Sequence, residues 1–275
     1  MLDQFIYEDH YGRQFRGLEQ GVFLNESELR DYSWNYDTIN SRISRFYQGV
    51  TKRSIPLVFA CESDETIVAV RNRLLELTET DVEARIPGKI RVGDYYTTGF
   101  ITGSKKSKYL LNKQYCEVDL TLTSEDPTWY RETTHYFTVG DTESTTDGGI
   151  DYPYDYAYDY VERMTGRSIY CDSVGDNAFR MTIYGVTTNP TIIVGNHTYK
   201  LNGNIDSGER VVIDSLNKTI VLTSSNGIKT NWFDKRDRNN YIFEPIPSGT
   251  HAVAYSGSFS FELTIIEKRR EPKWT

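Results

Sequence analysis

The sequence predicts a mainly β protein made of two domains. Three observations support this: many short segments of β-forming residues separated by turn residues, a single segment with helical periodicity, and a stretch of small polar residues near the middle of the chain. With 275 residues the chain is long for one hydrophobic core, because single cores tend to split as the length approaches about 250–300 residues. We expect an N-terminal domain over residues 1–139, a connector over 140–160 and a C-terminal domain over 161–275.

The N-terminal half contains short β segments and one predicted helix. Ile55–Ala60 and Lys89–Val92 have compositions typical of strands. The helix is predicted over Asp64–Leu77, with Ser63 as its N-cap. Within it, apolar residues recur every three or four positions and therefore share one face: Ile67, Val70, Leu74 and Leu77.

Two alternating segments follow the helix. Tyr95–Thr102 and Gln114–Thr123 are predicted to be strands, and the polar residues 103–108 between them are predicted to form a loop. In the second strand the alternation places one set of side chains on the buried face: Cys116, Val118, Leu120 and Leu122.

The middle of the chain changes in composition. Residues 140–149 are small, polar and acidic, which indicates a flexible connector. Tyrosine then occupies every second position from Tyr152 to Tyr160, so an extended chain would place these rings on one face. Three roles are open for them: a strap that packs on a neighbouring domain, a platform for sugars, or a contact between subunits.

From Phe179 onward the sequence predicts a sandwich or barrel of short strands. Gly195-Asn196 and Leu216-Asn217 are predicted to be the turns of two hairpins. The predicted strands are Phe179–Tyr184, Thr191–Val194, His197–Leu201, Arg210–Asp214, Lys218–Leu222 and Phe259–Ile266.

Charge, cysteine usage and hydropathy restrict the class of protein. The net charge of −8 argues against a surface that grips nucleic acid, because phosphate binding depends on clustered Lys and Arg. Cys61, Cys116 and Cys171 are widely spaced and odd in number, so we expect reduced thiols in a cytosolic product. Neither a signal peptide nor an apolar run long enough to span a membrane is evident, and we expect no membrane partner.

No catalytic motif is recognisable. The chain lacks a phosphate-binding loop, a dinucleotide fingerprint, a His-Glu-x-x-His or Cys-x-x-Cys motif and a nucleophile elbow. Its four histidines are scattered rather than set at metal-ligand spacing. We therefore predict that the protein is not an enzyme and has no catalytic residue, cofactor or metal.

Four aromatic residues are the candidate contact residues. Trp232 and Phe233 lie in a polar and aromatic stretch that would suit a sugar cleft, but they fit equally a core or an interface. Tyr154 and Tyr156 belong to the alternating tyrosines. We predict contact of these four residues with carbohydrate or with a protein partner.

An ordered set of motifs runs through the second half of the chain: Tyr152–Tyr156, Phe179–Gly185, Gly185–Ile192, Gly208–Asp214, Phe243–Gly249 and the closing segment Phe259–Ile266. As a set, these motifs resemble the distal tail proteins of long-tailed phages and prophages of Gram-positive bacteria. The resemblance covers most of Asp151–Trp274, and the first half is similar in its layout of β segments, one helix and a β-hairpin.

The resemblance implies a particular fold and assembly. The fold is an N-terminal tail-tube-like β-sandwich with one helix and a β-hairpin, followed by a C-terminal galectin-like β-sandwich. The implied assembly is a homohexameric ring in the virion, at the phage tail tip, made in the host cytoplasm. It would join the tail tube protein to tail-tip and tail-associated proteins, with DNA only as passing cargo. The alternative is a carbohydrate-binding module that contacts the host cell wall.

Overall fold

The computed structural model describes residues 4–61, 64–109, 115–140 and 167–274. These residues contain twenty-one strands and one α-helix, which confirms the prediction of a mainly β protein. Contacts divide the chain into two compact units, residues 1–131 with 268–275 and residues 132–267. Except for Gly140, the predicted connector 140–160 lies outside the described residues.

The first unit has two strand paths that share one long strand. One path runs β2-β1-β7-β8-β10 and the other runs β3-β6-β9-β8, while β4 and β5 form a separate hairpin. Its strands are β1 Ile6–Glu8, β2 Gln14–Arg16, β3 Val22–Leu24, β4 Asn35–Ile39, β5 Arg42–Tyr47, β6 Thr51–Ala60, β7 Gly88–Val92, β8 Tyr95–Tyr109, β9 Tyr115–Ser124 and β10 Trp129–Phe137, of which β10 continues into the second unit. Two single-turn 3-10 helices, Leu18–Gln20 and Glu28–Arg30, lie between the first strands.

Helix α1 spans Asp64–Ala84 and is longer than the sequence predicted. The predicted face is confirmed, because its four apolar residues are all buried: Ile67, Val70, Leu74 and Leu77. The helix continues past Leu77 on the same face with Asp81, which is fully buried. A carboxylate at this position ends the apolar pattern in the sequence without ending the helix. The predicted N-cap Ser63 lies outside the described residues.

A buried polar cluster joins the end of α1 to the turn between β1 and β2. The Tyr7 hydroxyl donates a hydrogen bond to Asp81 Oδ2. The His10 amide donates to Asp81 Oδ1 at 2.9 Å, and the His10 ring Nδ1 lies 2.6 Å from the same oxygen. Gly88, at the start of β7, leaves the space for this cluster, since a Cβ there would collide with Asp81 and Tyr7. Burial and then the bond to Asp81 raise the pKa of Tyr7 far above its usual value.

The predicted loop at residues 103–108 is wrong, because β8 continues through it. Pairing between β8 and β9 runs from Phe100 opposite Thr123 to Tyr109 opposite Cys116, with two irregularities in register. Exposed Lys105 lies opposite Asp119, and opposite charges across a strand pair are favourable. The polar composition of residues 104–106 thus reflects exposed positions in a strand. The predicted alternation in β9 is confirmed by the burial of its apolar set: Cys116, Val118, Leu120 and Leu122.

The second unit consists of two sheets around one apolar core. One sheet runs β19-β18-β17-β12-β21 and the other runs β11-β20-β14-β15, while β13 and β16 form a short ribbon. The strands are β11 Arg167–Cys171, β12 Ala178–Tyr184, β13 Thr187–Thr188, β14 Thr191–Val194, β15 His197–Lys200, β16 Asn204–Ile205, β17 Arg210–Asp214, β18 Thr219–Thr223, β19 Lys229–Asn231, β20 Gly249–Tyr255 and β21 Phe261–Arg269. Two predicted strands, Thr191–Val194 and Arg210–Asp214, agree residue for residue. The last predicted strand, Phe259–Ile266, starts two residues later and ends at Arg269.

The three cysteines are buried and not joined in disulfides. Burial raises the pKa of the Cys171 thiol to about 11 and also raises the pKa of the Cys61 thiol. Because the thiolate is the reactive form, we expect the native protein to react only slowly with a disulfide reagent at mildly alkaline pH. All three thiols are expected to react at once in denaturant. A rapid reaction of even one thiol per native chain would contradict this prediction.

Candidate assembly surface

The hairpin of β4 and β5 stands apart from the sheets of the first unit. Its strands pair with each other and with no other strand in the described part of the chain, and every residue in them is exposed. Asn40 and Ser41 at its tip have φ values of 50° and 60°, the left-handed conformations required by the tight turn of a two-residue hairpin. A two-stranded hairpin without further cover is marginally stable in water. Its side chains are therefore available to another protein surface.

One side of the hairpin is apolar. Tyr36 and Phe46 lie opposite each other with their ring centroids 6.5 Å apart, and Trp34 packs edge-on against Phe46 at 6.1 Å. Beyond an irregularity in register, Ile43 pairs with Thr38 and extends the same side. We call Trp34, Tyr36, Ile43 and Phe46 the aromatic face. Their side chains are exposed by 39% to 58%, and contiguous exposed apolar residues of this kind mark interaction sites.

The other side of the hairpin carries charged residues together with Ile39 and Tyr47. Asp37 lies opposite Arg45, and the Arg45 guanidinium lies 5.3 Å from the centre of the Tyr47 ring. The two sides differ because side chains alternate along a strand. The opposed charges of Asp37 and Arg45 are thus confined to one side of the hairpin, and the rings of the aromatic face lie on the other.

The structure describes two of the four predicted contact residues. Trp232 packs against the core of the second unit, and the tip of its ring lies beside Gly203. Phe233 is 37% exposed and belongs to a 3-10 turn, Phe233–Lys235. Its ring stacks with that of Phe243, with the ring centroids 6.0 Å apart. The Arg236 guanidinium lies 4.0 Å from the centre of the Phe233 ring and covers a face that a sugar would use.

Tyr154 and Tyr156 lie outside the described residues. Contact of carbohydrate or a partner with any of the four predicted residues stays a prediction. Sequence reasoning missed the aromatic face, and the one local signal for a hairpin is the turn-forming pair Asn40-Ser41 between the segments Trp34–Ile39 and Arg42–Tyr47.

Other kinds of site are not found in the described ranges. Their His, Cys, Asp and Glu side chains form no group of three or more that would hold a metal ion. Among the helices that the structure describes, none combines the length and the apolar character needed to cross a membrane. The aromatic face of the hairpin is thus the candidate functional surface in these ranges.

Solved structures share the fold of this chain, whereas comparisons of sequence find no match. No protein-family model matches the chain, and no curated protein matches it. The crystal structure of SPP1 Dit (gp 19.1), described as a paradigm of the hub adsorption apparatus in Gram-positive infecting phages, shares the fold with a TM-score of 0.58. The two chains are 11% identical, and the match covers 98% of this chain and 100% of SPP1 Dit.

Chains of the phage P2 baseplate in its activated conformation are similar as well. With Ca the TM-score is 0.59 at 14% identity, and with Sr it is 0.60 at 13% identity. Both matches cover 99% of this chain and 100% of the baseplate chain. At these identities the likeness shows a shared fold. The resemblance to distal tail proteins is thus confirmed at the level of the fold.

Proposed function

We propose that this chain is a structural, non-enzymatic component of a phage tail tip. Its copies would form a homohexameric ring that joins the tail tube protein to the tail-tip and host-adhesion proteins. The observation that carries the proposal is the aromatic face of a hairpin that pairs with no other described strand. It occurs in a fold shared with SPP1 Dit and with chains of the P2 baseplate.

The hairpin supplies a physical reason for self-assembly. Fully burying one exposed large apolar side chain is worth roughly 1.5–3 kcal/mol, and each residue of the aromatic face, exposed by 39% to 58%, would contribute part of that to an interface. If this face meets a different surface of the next copy, the contact is head-to-tail, and a head-to-tail contact closes into a ring when its rotation allows. All hairpins would then be covered.

The charge of the chain fits the proposed place in the virion. DNA passes through a tail as cargo, and a net charge of −8 disfavours adhesion of phosphate groups. Synthesis in the host cytoplasm is compatible with three cysteines that stay unpaired. Other tail proteins are proposed as partners because the similar chains belong to a hub and to baseplates.

The proposal predicts a ring from the purified chain alone. Light scattering coupled to size exclusion is expected to give six times the mass of one chain, and negative-stain images should show a ring with a central hole. A chain that stays monomeric at high concentration and binds purified cell-wall polysaccharide would contradict the ring and favour a carbohydrate-binding module.

A further inference from the structure

A short segment near the end of the chain runs past the root of the hairpin. Residues 268–274 belong to the first unit. Within this segment the Arg270 guanidinium lies 4.4 Å from the centre of the Trp34 ring, and its Nη1 donates to Gln48 Oε1 at 2.6 Å. Trp34 comes directly before β4 and Gln48 directly after β5. One side chain therefore bridges the two chain connections of the hairpin.

Arg270 also connects this root to the body of the unit. Its Nη1 lies 3.1 Å from Thr128 Oγ1, and Thr128 is a buried residue just before β10. The guanidinium thus contacts three segments that are distant in sequence: the residue before the hairpin, the residue after it, and the start of a sheet strand. A planar group with five donors suits such a junction better than a flexible ammonium.

A second arginine–tryptophan pair holds the segment itself. The Arg30 guanidinium lies 4.2 Å from the centre of the Trp274 ring, and Arg30 Nη1 donates to the Pro272 carbonyl at 2.9 Å. In one pair the segment supplies the arginine, and in the other it supplies the tryptophan. Arg30 thereby holds the part of the segment that follows Arg270.

We propose that Arg270 is a positioning residue that fixes the direction of the hairpin and so preorganises the aromatic face for assembly. The proposal rests on the proposed function. Because the hairpin pairs with no other described strand, its direction depends on its two connections. The Trp34 ring contacts both Arg270 and Phe46, so Arg270 acts directly on a member of the aromatic face. Holding a binding element in its bound orientation lowers the entropy that assembly would lose.

The test compares Arg270→Ala with the unaltered full-length chain by two readouts. Hydrogen–deuterium exchange is measured at a dilution where each protein is monomeric, and assembly is measured by light scattering over a concentration series. Loss of the cation–π contact and of a charge-assisted hydrogen bond is expected to speed exchange in residues 35–47 by about tenfold. The concentration needed for assembly is expected to rise by a similar factor.

Three further variants separate the explanations. Arg238→Ala makes the same charge change at an exposed position of the second unit and is expected to alter neither readout. Arg270→Lys keeps the charge and is expected to restore part of both effects. Trp34→Leu removes the ring from the other side of the contact, and it is expected to speed exchange even if Arg270→Ala fails to fold.

If hydrogen–deuterium exchange of the hairpin is unchanged in folded Arg270→Ala or in Trp34→Leu, Arg270 does not fix the hairpin and the proposal is wrong. Faster exchange with unchanged assembly would overturn the positioning role of Arg270 and leave the proposed function intact, provided that substitutions on the aromatic face still abolish assembly. If those substitutions leave assembly intact, the hairpin is not the assembly surface. In that case the proposed function loses its support, and the aromatic-face variants show this independently of the Arg270 and Trp34 variants.

Discussion

A chain carrying both Tyr36→Ser and Phe46→Ser is expected to fold normally and to stay monomeric at concentrations where the unaltered protein assembles. Both rings are exposed in the single chain, by 58% and 57%. Exposed substitutions of this kind usually change the free energy of unfolding by about 0.5 kcal/mol or less. In an assembly the same rings would be central anchors, each typically worth about 2 kcal/mol, so losing both raises the dissociation constant by roughly a thousandfold.

The opposed charges on the other side of the hairpin provide the matched control. Asp37→Ser with Arg45→Ser removes a directly opposed pair from the same strands and retains the aromatic face. We expect a change of no more than a few-fold in assembly, measured by sedimentation velocity over a concentration series. Circular dichroism of all variants establishes that they are folded. If the polar pair abolishes assembly and the aromatic pair does not, the assignment of the two sides is reversed.

Asp81→Ala is expected to lower the free energy of unfolding of the first unit by about 4 kcal/mol, because removing the acceptor leaves two buried hydrogen-bond donors unpaired. Asp81 is fully buried, and it accepts hydrogen bonds from the Tyr7 hydroxyl and the His10 amide. Alanine would leave these donors without an acceptor at the place where α1 meets the β1–β2 turn. Asp81→Asn retains one carbonyl oxygen as an acceptor and is expected to lower the free energy of unfolding by less.

Glu83→Ala is the control for this prediction. Glu83 is an exposed acidic residue two positions further along α1, and alanine is a better helix former. Its effect should stay within about 0.5 kcal/mol. Urea unfolding followed by circular dichroism in the helical region measures all three variants. Equal losses for Asp81→Ala and Glu83→Ala would show that the buried cluster contributes nothing beyond helix charge.

Local periodicity was sufficient wherever one side of an element faces a core. Thr191–Val194 and Arg210–Asp214 were predicted residue for residue, and the four apolar residues of α1 were assigned to the correct face. Alternation or helical spacing of apolar residues follows directly from burial of one side, so it is present in the sequence itself. The motifs of the second half also indicated the fold that the solved structures share.

The candidate assembly surface was less visible in the sequence. All residues of β4 and β5 are exposed, so no contrast between buried and exposed positions marks the two strands. Aromatic residues at Trp34, Tyr36 and Phe46 would equally suit a core strand. Only the tertiary structure shows that no other described strand covers them.

Sequence by itself therefore determined the class of fold, the faces of its main elements and the absence of any recognised catalytic motif. The tertiary structure decided where polar and charged residues belong. Asp81 is buried because Tyr7 and His10 reach it, residues 103–108 form a strand because β9 pairs with them, and Arg270 joins the first unit through Trp34. Each outcome depends on a partner far away in the chain, and the free energy of such a contact leaves no periodic trace in the local sequence.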